Sequence, residues 1–551
     1  MKKCNDMVFT IHRYIFFDLV KTFCQATVIL SVVLGLGIML QPLRQFSVEP
    51  IQVPKLIAYT FPITLSMVIP IAALLSATLN YGRLSHFNEL NACRTSGIKL
   101  LNLIYPAAAF ALLVGLATLL LGFHVVPSFT KKFERAITAD AEAIIFRNIQ
   151  KRGDLGDMFP NIKIYADHAI PAEHRLTGVV VMQLDRKDVL WTVTAEQVEL
   201  EFRVDQAQKQ VLLHLHQATL LRDDQTVFYP NPPAIEIDLP SLWEDDIKFK
   251  KLDELRAIQN DMGQFGPIRR MMEEFQQQYI WEAFFQDCQR QAREGNSITL
   301  SKDGEQMRIF AESCRIEIPQ SKSKQKDPME NRSAELMGVN EKAVEVIFPF
   351  ESAADKSSQT YQAQRAWLTT LALFPDNPPM LVFRDVEKRN SVSSGATFLR
   401  DDTIGGIDFP LTIVNEAQAL TVEVIWAGKV LERLSHSTPC IQLLEQRIIA
   451  RCGELGSEIR IEKHSRLAFG ISCVVLVLLG TVLGIILRSS HLLMAFGISF
   501  IPAAFCLITI FTGKHIAEKT EAPLMGIVFL WSGVFLVAVA DFLIYKRLAK
   551  T

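Results

Sequence analysis

The stretch YGRLSHFNELNACRTSGIKLLNLIYP, Tyr81 to Pro106, is a polar island between two long apolar runs. The run before it covers about Leu56 to Tyr81, and the run after it about Leu100 to Val126. Each supplies the roughly 20 apolar residues that a helix needs to cross the hydrocarbon core of a bilayer. The island carries Arg83, Glu89, Arg94 and Lys99. Gly97 stands where a short helix would end, because glycine accepts the left-handed conformation of a helix stop. The pattern predicts a membrane hairpin whose connector, about residues 82–98, is a short polar helix.

Outward from the hairpin, four more segments reach spanning length. They are Ile15 to Leu40, built around VILSVVLGLGIML, then Leu467 to Leu487, Leu492 to Thr512 and Pro523 to Tyr545. The first is too long for a signal peptide and lacks the small-residue cleavage pattern. Lysine and arginine near span ends give the orientation, since cytoplasmic loops are enriched in them. Lys2, Lys3 and Arg13 precede the first span, Arg488 separates the fourth from the fifth, and Lys546, Arg547 and Lys550 follow the sixth. The opposite short loops hold Arg44, Lys55, Lys514 and Lys519, with Glu49, Glu518 and Glu521 beside them. Both termini are therefore expected in the cytoplasm and the middle of the chain outside. Pro54, Pro62 and Pro70 recur along the second span, as a packing bend or a moving gate. Asp18, Lys21 and Asp541 stand near span ends, where charges ordinarily reach out to the interface, with a proton relay as the other reading.

The overall hydrophobic share of 49% is only slightly high for a globular protein, an average that misleads because the apolar residues are gathered at the two ends. From about Phe159 the middle alternates: NIKIYADHAI, LTGVVVMQLD, VLWTVTAEQVELEFRV and QVLLHLHQATLL read as strands of period two. Several in series point to an antiparallel sandwich or jelly roll. A polar helical stretch follows, about Glu244 to Glu294, and then strand-like MRIFAESCRIEI, AVEVIFPF, QAQRAWLTTLALF and PMLVFRDVEK. SKSKQKDPMENRSAE between them reads as a loop. AEQVEL at Ala195–Leu200 is similar to AQRAWL at Ala363–Leu368, and each precedes another apolar strand. A second, related β-unit and a chance likeness between amphipathic strands both fit.

The expected fold class is a helical membrane protein, three spans plus three, with an inserted antiparallel β jelly roll. The expected organisation is 1–130 for spans one to three, 131–243 for the jelly roll, 244–296 for a helical connector, 297–440 for a second β-rich unit or insertion, and 441–551 for a connecting helix and spans four to six. Cys288, Cys314, Cys440 and Cys452 fall in the central region, where an oxidising compartment would permit disulfides without fixing their pairing.

Several chemistries are missing from the sequence. It contains no G-x-x-x-x-G-K-[ST] phosphate loop, no H-E-x-x-H and no paired C-x-x-C. His214 and His216 alternate on one strand face without a visible third metal ligand. No nucleophile–base arrangement stands out, and no cofactor, metal or nucleic-acid partner is expected. An enzyme acting on envelope glycans or lipids would need a cluster of acidic or nucleophilic groups, and none is identified; an envelope scaffold that uses its β-domain as a docking surface fits the residues.

Leu79 to Ile98, LNYGRLSHFNELNACRTSGI, resembles the LptF/LptG (YjgP/YjgQ) permease family, with its L-x-x-G-R-L-like start, acidic residue and R-x-x-G-like close. Arg13-Tyr14-Ile15, KIYADHAI, the pair LTGVVVMQLD and TAEQVEL, and Glu462-Lys463-His464-Ser465-Arg466 look like the family too. The resemblance implies a bacterial inner-membrane permease whose jelly roll lies in the periplasm. It implies pairing with a second LptF/LptG-like subunit, a cytoplasmic ABC ATPase dimer and a periplasmic jelly-roll bridge protein, to export lipopolysaccharide or a related glycolipid. By the same resemblance Glu89 engages a groove on the ATPase, with Arg83, Arg94 and Gly97 completing the motif, and the first and fifth spans form lateral gates. The family's basic residue near the outer end of span one finds Gln41 here, and Arg44 a turn later, as candidates for a lipid-phosphate contact. Trp531-Ser532-Gly533 departs from the family's W-x-P-N, and the material after about Leu255 has no counterpart, which marks a divergent member with an enlarged periplasmic domain.

Overall fold

The computed structural model describes residues 2–46, 53–138, 141–155, 162–185, 188–204, 209–222, 225–229, 234–238, 246–295, 297–302, 304–317, 333–338, 343–348, 359–369, 379–390, 396–428, 430, 439–486, 492–519 and 523–548. These divide into two compact units, residues 1–260 with 454–551, and residues 261–453.

The first unit opens with helices α1 (Lys2–Phe46), α2 (Val53–His86), α3 (Glu89–Thr95) and α4 (Leu100–Leu120). A π-helical turn, Leu121–Val125, carries α4 into α5 (Val126–Thr138), and α6 (Ala141–Arg152) follows. Strands β1 (Ile162–Ile170), β2 (Arg175–Asp185), β3 (Asp188–Val204), β4 (Lys209–Arg222), β5 (Gln225–Tyr229) and β6 (Ile235–Asp238) form one antiparallel sheet in the order β1-β2-β3-β4-β5, with β6 also on β4. A 3₁₀ turn (Ile247–Phe249) and α7 (Leu252–Asn260) close the segment.

The second unit holds α8 (Gly266–Gly295), then β7 (Ile298–Lys302), β8 (Glu305–Phe310), β9 (Ser313–Glu317), β10 (Ser333–Met337), β11 (Val344–Phe348), β12 (Gln359–Thr369), β13 (Met380–Asn390) and β14 (Ala396–Ile404). Its sheet runs β14-β13-β12-β11-β8-β7, with β10 bridging β12 and β9. Helices α9 (Leu411–Gln418) and α10 (Val422–Trp426) follow. Three long helices end the chain: α11 (Pro439–Ile486), α12 (Leu492–Lys519) and α13 (Pro523–Leu548).

Among the described residues six helices are long and apolar enough to cross a membrane, and antiparallel sheets, one curled into a half barrel, stand between the third and fourth, as the expected fold class requires. In hydrocarbon, apolar side chains gain nothing by leaving lipid, so helices associate through close contact and interhelical hydrogen bonds. Helix α2 collects both. Ser76 Oγ donates to the Leu19 carbonyl of α1 at 2.7 Å, Tyr81 Oη to that of Leu103 in α4 at 2.8 Å, and Ser85 Oγ to that of Ile485 in α11 at 3.0 Å. A Cβ added at Gly480 of α11 would stand 2.8 Å from the Leu74 carbonyl oxygen, and one at Gly484 would stand 2.8 Å from that of Thr78. Two glycines four residues apart thus let the α2 and α11 backbones touch. Helix α2 runs unbroken through Pro62 and Pro70, with Thr60, Thr64 and Ser66 donating to carbonyls one turn back.

Some local expectations are corrected. Ser321–Glu335 does not end as a loop: β10 starts at Ser333, paired on both sides, and five alternating residues behind a polar run were too few to register. Asp18, half-buried, pairs with Arg83. Asp541 is 8% exposed rather than snorkelled, because it faces the packed side of α13 instead of the bilayer surface. Cys440 and Cys452 share one helix twelve residues apart, about 18 Å at 1.5 Å per residue, beyond the reach of a disulfide.

Gly480→Val is expected to cost about 1–3 kcal/mol of stability by overpacking, whereas Gly453→Ala, in open space on the same helix, should be neutral or mildly stabilising. Thermal unfolding of the detergent-solubilised variants checks this.

Candidate functional site

The polar island is a short helix held from both ends. After α2, Asn88 takes a left-handed conformation (φ 59°) that turns the chain into α3, and its side-chain oxygen accepts from Asn91 Nδ2 at 3.0 Å. At the other end the Ile98 N–H donates to the Cys93 carbonyl at 3.1 Å and the Gly97 N–H to that of Arg94 at 2.9 Å, with Gly97 at φ 86°. This is the paired-bond helix stop that Gly97 predicts. Leu90 and Ile98 are buried in the apolar cluster that includes Ile15, Leu19, Tyr81 and Leu103. The connector is therefore packed onto α1, α2 and α4.

Glu89, Arg94 and Gly97 lie on the exposed side of this connector. Glu89 in the first turn and Arg94 in the last complement the helix dipole. Burial and then the Glu89 carboxylate push the Cys93 thiol up. Arg83 is not brought to the same surface. Its guanidinium turns back to α1, 2.5 Å from an Asp18 carboxylate oxygen and 3.4 Å from Tyr14 Oη. Phe87, which sequence reasoning passed over, is 65% exposed immediately before α3. An aromatic residue inside a polar connector was the available signal.

Gln41 and Arg44 fall on the last turns of α1, and their side chains lie outside the described residues. The C-terminal half of α1 packs on a single stripe. Ala26, Thr27 and Ser31 are buried, whereas Val28, Ile29, Val32, Val33 and Leu36 face outward. Helix α12 likewise exposes Ile501, Phe505 and Ile508.

A second constellation joins the membrane helices to the end of the first sheet's segment. Arg466 of α11 is 7% exposed, and its Nε donates to Glu462 Oε1 at 2.9 Å. A terminal nitrogen of the same guanidinium donates to the Lys248 carbonyl at 2.8 Å and lies 3.4 Å from that of Ile247, both in the 3₁₀ turn. The guanidinium also sits 5.3 Å from the ring centre of Phe123, in the π-helical turn. The other Glu462 oxygen accepts from Lys514 of α12. One buried group thus ties α11, α12, the end of α4 and the turn before α7. Nearby, Lys131 of α5 pairs with Glu254 of α7, and Lys463 donates to Gln259 Oε1 at 2.8 Å. His214, weighed as a metal ligand, lies 3.0 Å from Glu201 Oε2 on the first sheet.

Lys514 stays paired with Glu462 when Arg466 is removed, so the loss is that of the charge-assisted hydrogen bonds to the carboxylate and the two carbonyls. Arg466→Met is expected to cost about 1.5–3 kcal/mol. Arg466→Lys should not restore it, because an ammonium lacks the fork that serves a carboxylate and two carbonyls together. Both follow from thermal unfolding. Glu254 adds a pH dependence. Burial pushes its carboxyl up, but Lys131 and the Lys251 N–H hold it below its ordinary value overall. Its contribution is therefore complete at neutral pH and is lost as pH falls through the lowered value. Glu254→Gln should flatten that part of the stability–pH curve.

The family model described as "Lipopolysaccharide export system permease LptF/LptG" matches residues 13–547. A comparison with curated proteins returns no match.

Proposed function

Because this chain belongs to the LptF/LptG family of lipopolysaccharide export permeases, a multi-pass inner-membrane family, we propose that it is the membrane subunit of an ATP-driven machine that lifts lipopolysaccharide or a related glycolipid out of the bilayer. The observation that carries the reading is the connector: α3 presents Glu89 and Arg94 outward while Leu90 and Ile98 lock it to three membrane helices.

The load requires a motor. Each CH₂ buried in the bilayer contributes about 0.8 kcal/mol to holding a lipid there, so a cargo with several acyl chains does not leave on its own. The chain has no phosphate loop of its own, and ATP is hydrolysed by a cytoplasmic ABC ATPase dimer that grips α3. Glu89 meets a basic groove, Arg94 flanks it, Phe87 supplies an apolar anchor and Gly97 keeps the connector's exit turn. Arg83 acts one step back, through its ion pair with Asp18, coupling α2 to α1. A second LptF/LptG-like subunit completes the cavity. The thinly packed outer half of α1 and the exposed face of α12 are the lateral gates, and Arg44 or Gln41 contacts lipid phosphate.

In this orientation both termini are cytoplasmic and the β-sheets periplasmic. The first sheet takes the acyl chains, and a free sheet edge extends by strand pairing onto a periplasmic jelly-roll bridge. The buried Arg466–Glu462–Lys514 group carries movement of α12 to the segment that follows the first sheet.

Gentle detergent purification is expected to recover an ATPase with the wild-type chain, and Glu89→Arg to abolish that recovery and the stimulated ATP turnover, with folding unchanged. Intact association and lipid export in Glu89→Arg would overturn the reading. Stable periplasmic partners without any ATPase would favour a non-transporting scaffold instead.

A further inference from the structure

We propose that the sheet of the second unit is a second copy of the sheet of the first, with its apolar face filled by α8, so that cargo acyl chains use the first sheet alone. The proposal rests on the reading above that the first sheet receives acyl chains.

The repeat is visible in the register. In the first sheet Ala195 pairs with Ala218 and Gln197 with His216. In the second, Ala363 pairs with Val386 and Arg365 with Arg384. Every partner is displaced by the same 168 residues, Ala195 to Ala363 and Ala218 to Val386. Each ladder is interrupted at the same place by a non-glycine residue in the left-handed region. Gln217 and Asp385 both sit at φ 54°, and they too are 168 residues apart. Positive φ is rare for such residues, so its recurrence at one register position is not what two unrelated amphipathic strands would share.

The neighbouring strands follow suit. Val179 pairs with Ala195, and Val344 pairs with Ala363. The path β1-β2-β3-β4-β5 corresponds to β8-β11-β12-β13-β14. The N-terminal half of β2 is replaced by the separate strand β10, which meets the far end of β12 just as β2 meets that of β3: Leu336 pairs with Ala366, and Leu176 with Val198.

The copies differ in what covers them. Directly paired residues share a face, so Leu176, Val198 and Leu215 form a row on the first sheet, and Leu336, Ala366 and Phe383 the matching row on the second. The second row continues into Cys314 of β9. There α8 lies against it: Gln289 Nε2 donates to the Cys314 carbonyl at 3.0 Å, and Gln291 Oε1 accepts from the Thr299 N–H of β7 at 2.9 Å. Burial, and then the nearby Cys314, push the Cys288 thiol well up.

Helix α8 is enclosed at its middle turn. Five consecutive residues, Gln278 to Glu282, are all buried, which is more than one full turn and leaves no solvent face. Trp281 and Phe284 close on Phe409 from the other side, with ring centres 4.8 and 5.3 Å away. A helix enclosed over a full turn at its middle does not swing aside like a surface lid. The row Leu176, Val198 and Leu215 is buried as well, but among the described residues the helix contact that stands out on the first sheet is that of the much shorter α6 with the outer strand β1.

The test uses the wild-type complex loaded with lipopolysaccharide bearing a diazirine on an acyl chain. After irradiation, adducts are expected in peptides spanning 188–222 and absent from 359–390. Adducts in 359–390 would overturn the proposal. If neither region is labelled, the acyl path through the first sheet fails, and a second measurement then decides this proposal alone. With p-benzoylphenylalanine in place of Phe383, an aromatic exchange that the site should tolerate, the crosslink is expected within the chain, to residues 266–295. A lipid adduct, or no link to α8, would overturn it.

Discussion

The desolvation of the Arg466 guanidinium governs how this chain is built. A buried cation is tolerated where acceptors and a countercharge offset the cost of its desolvation. Here the acceptors come from places far apart in sequence. Glu462 stands one turn away on the same helix, the carbonyls of Ile247 and Lys248 belong to the turn after the first sheet, and the Phe123 ring belongs to the third span. Satisfying one side chain therefore fixes the end of the β-segment against the membrane helices. Lys514 then draws in the fifth span. Where an exporter needs force to pass from spans to sheet, a rigid polar junction transmits displacement that a flexible linker would absorb.

The membrane half of the fold was legible because its signal is strong and local. About twenty apolar residues in a row have few other readings, and Gly97 marked the end of α3 because its backbone bonds require a left-handed residue. The first sheet was legible for a comparable reason, since its strands are long enough for alternation to show. Helices α9 and α10 and strand β10 were not foreseen. They are short, and their periodicity never exceeds that of the loops around them.

The candidate site was legible in its exposed part only. Glu89, Arg94 and Gly97 occupy the connector surface as the spacing implied, but Arg83 belongs to a different contact, because an arginine at the end of one span is within reach of Asp18 on the neighbouring one. Nothing in the order of residues announces that pairing. The partners of Arg466 are more distant still. The two sheets make the complementary case: six similar residues only hinted at kinship, whereas a shared ladder offset and a shared irregular residue are positional facts that fold geometry alone exposes.

The glycine seam between α2 and α11 has a consequence for the chain as a whole. These helices come from opposite halves of the polypeptide, with the entire β-rich middle between them, yet their backbones meet with no side chain to act as a cushion. Their cohesion owes nothing to the covalent path that joins them. A molecule nicked in the central region would still be held together inside the lipid, and its fragments would come apart only on unfolding.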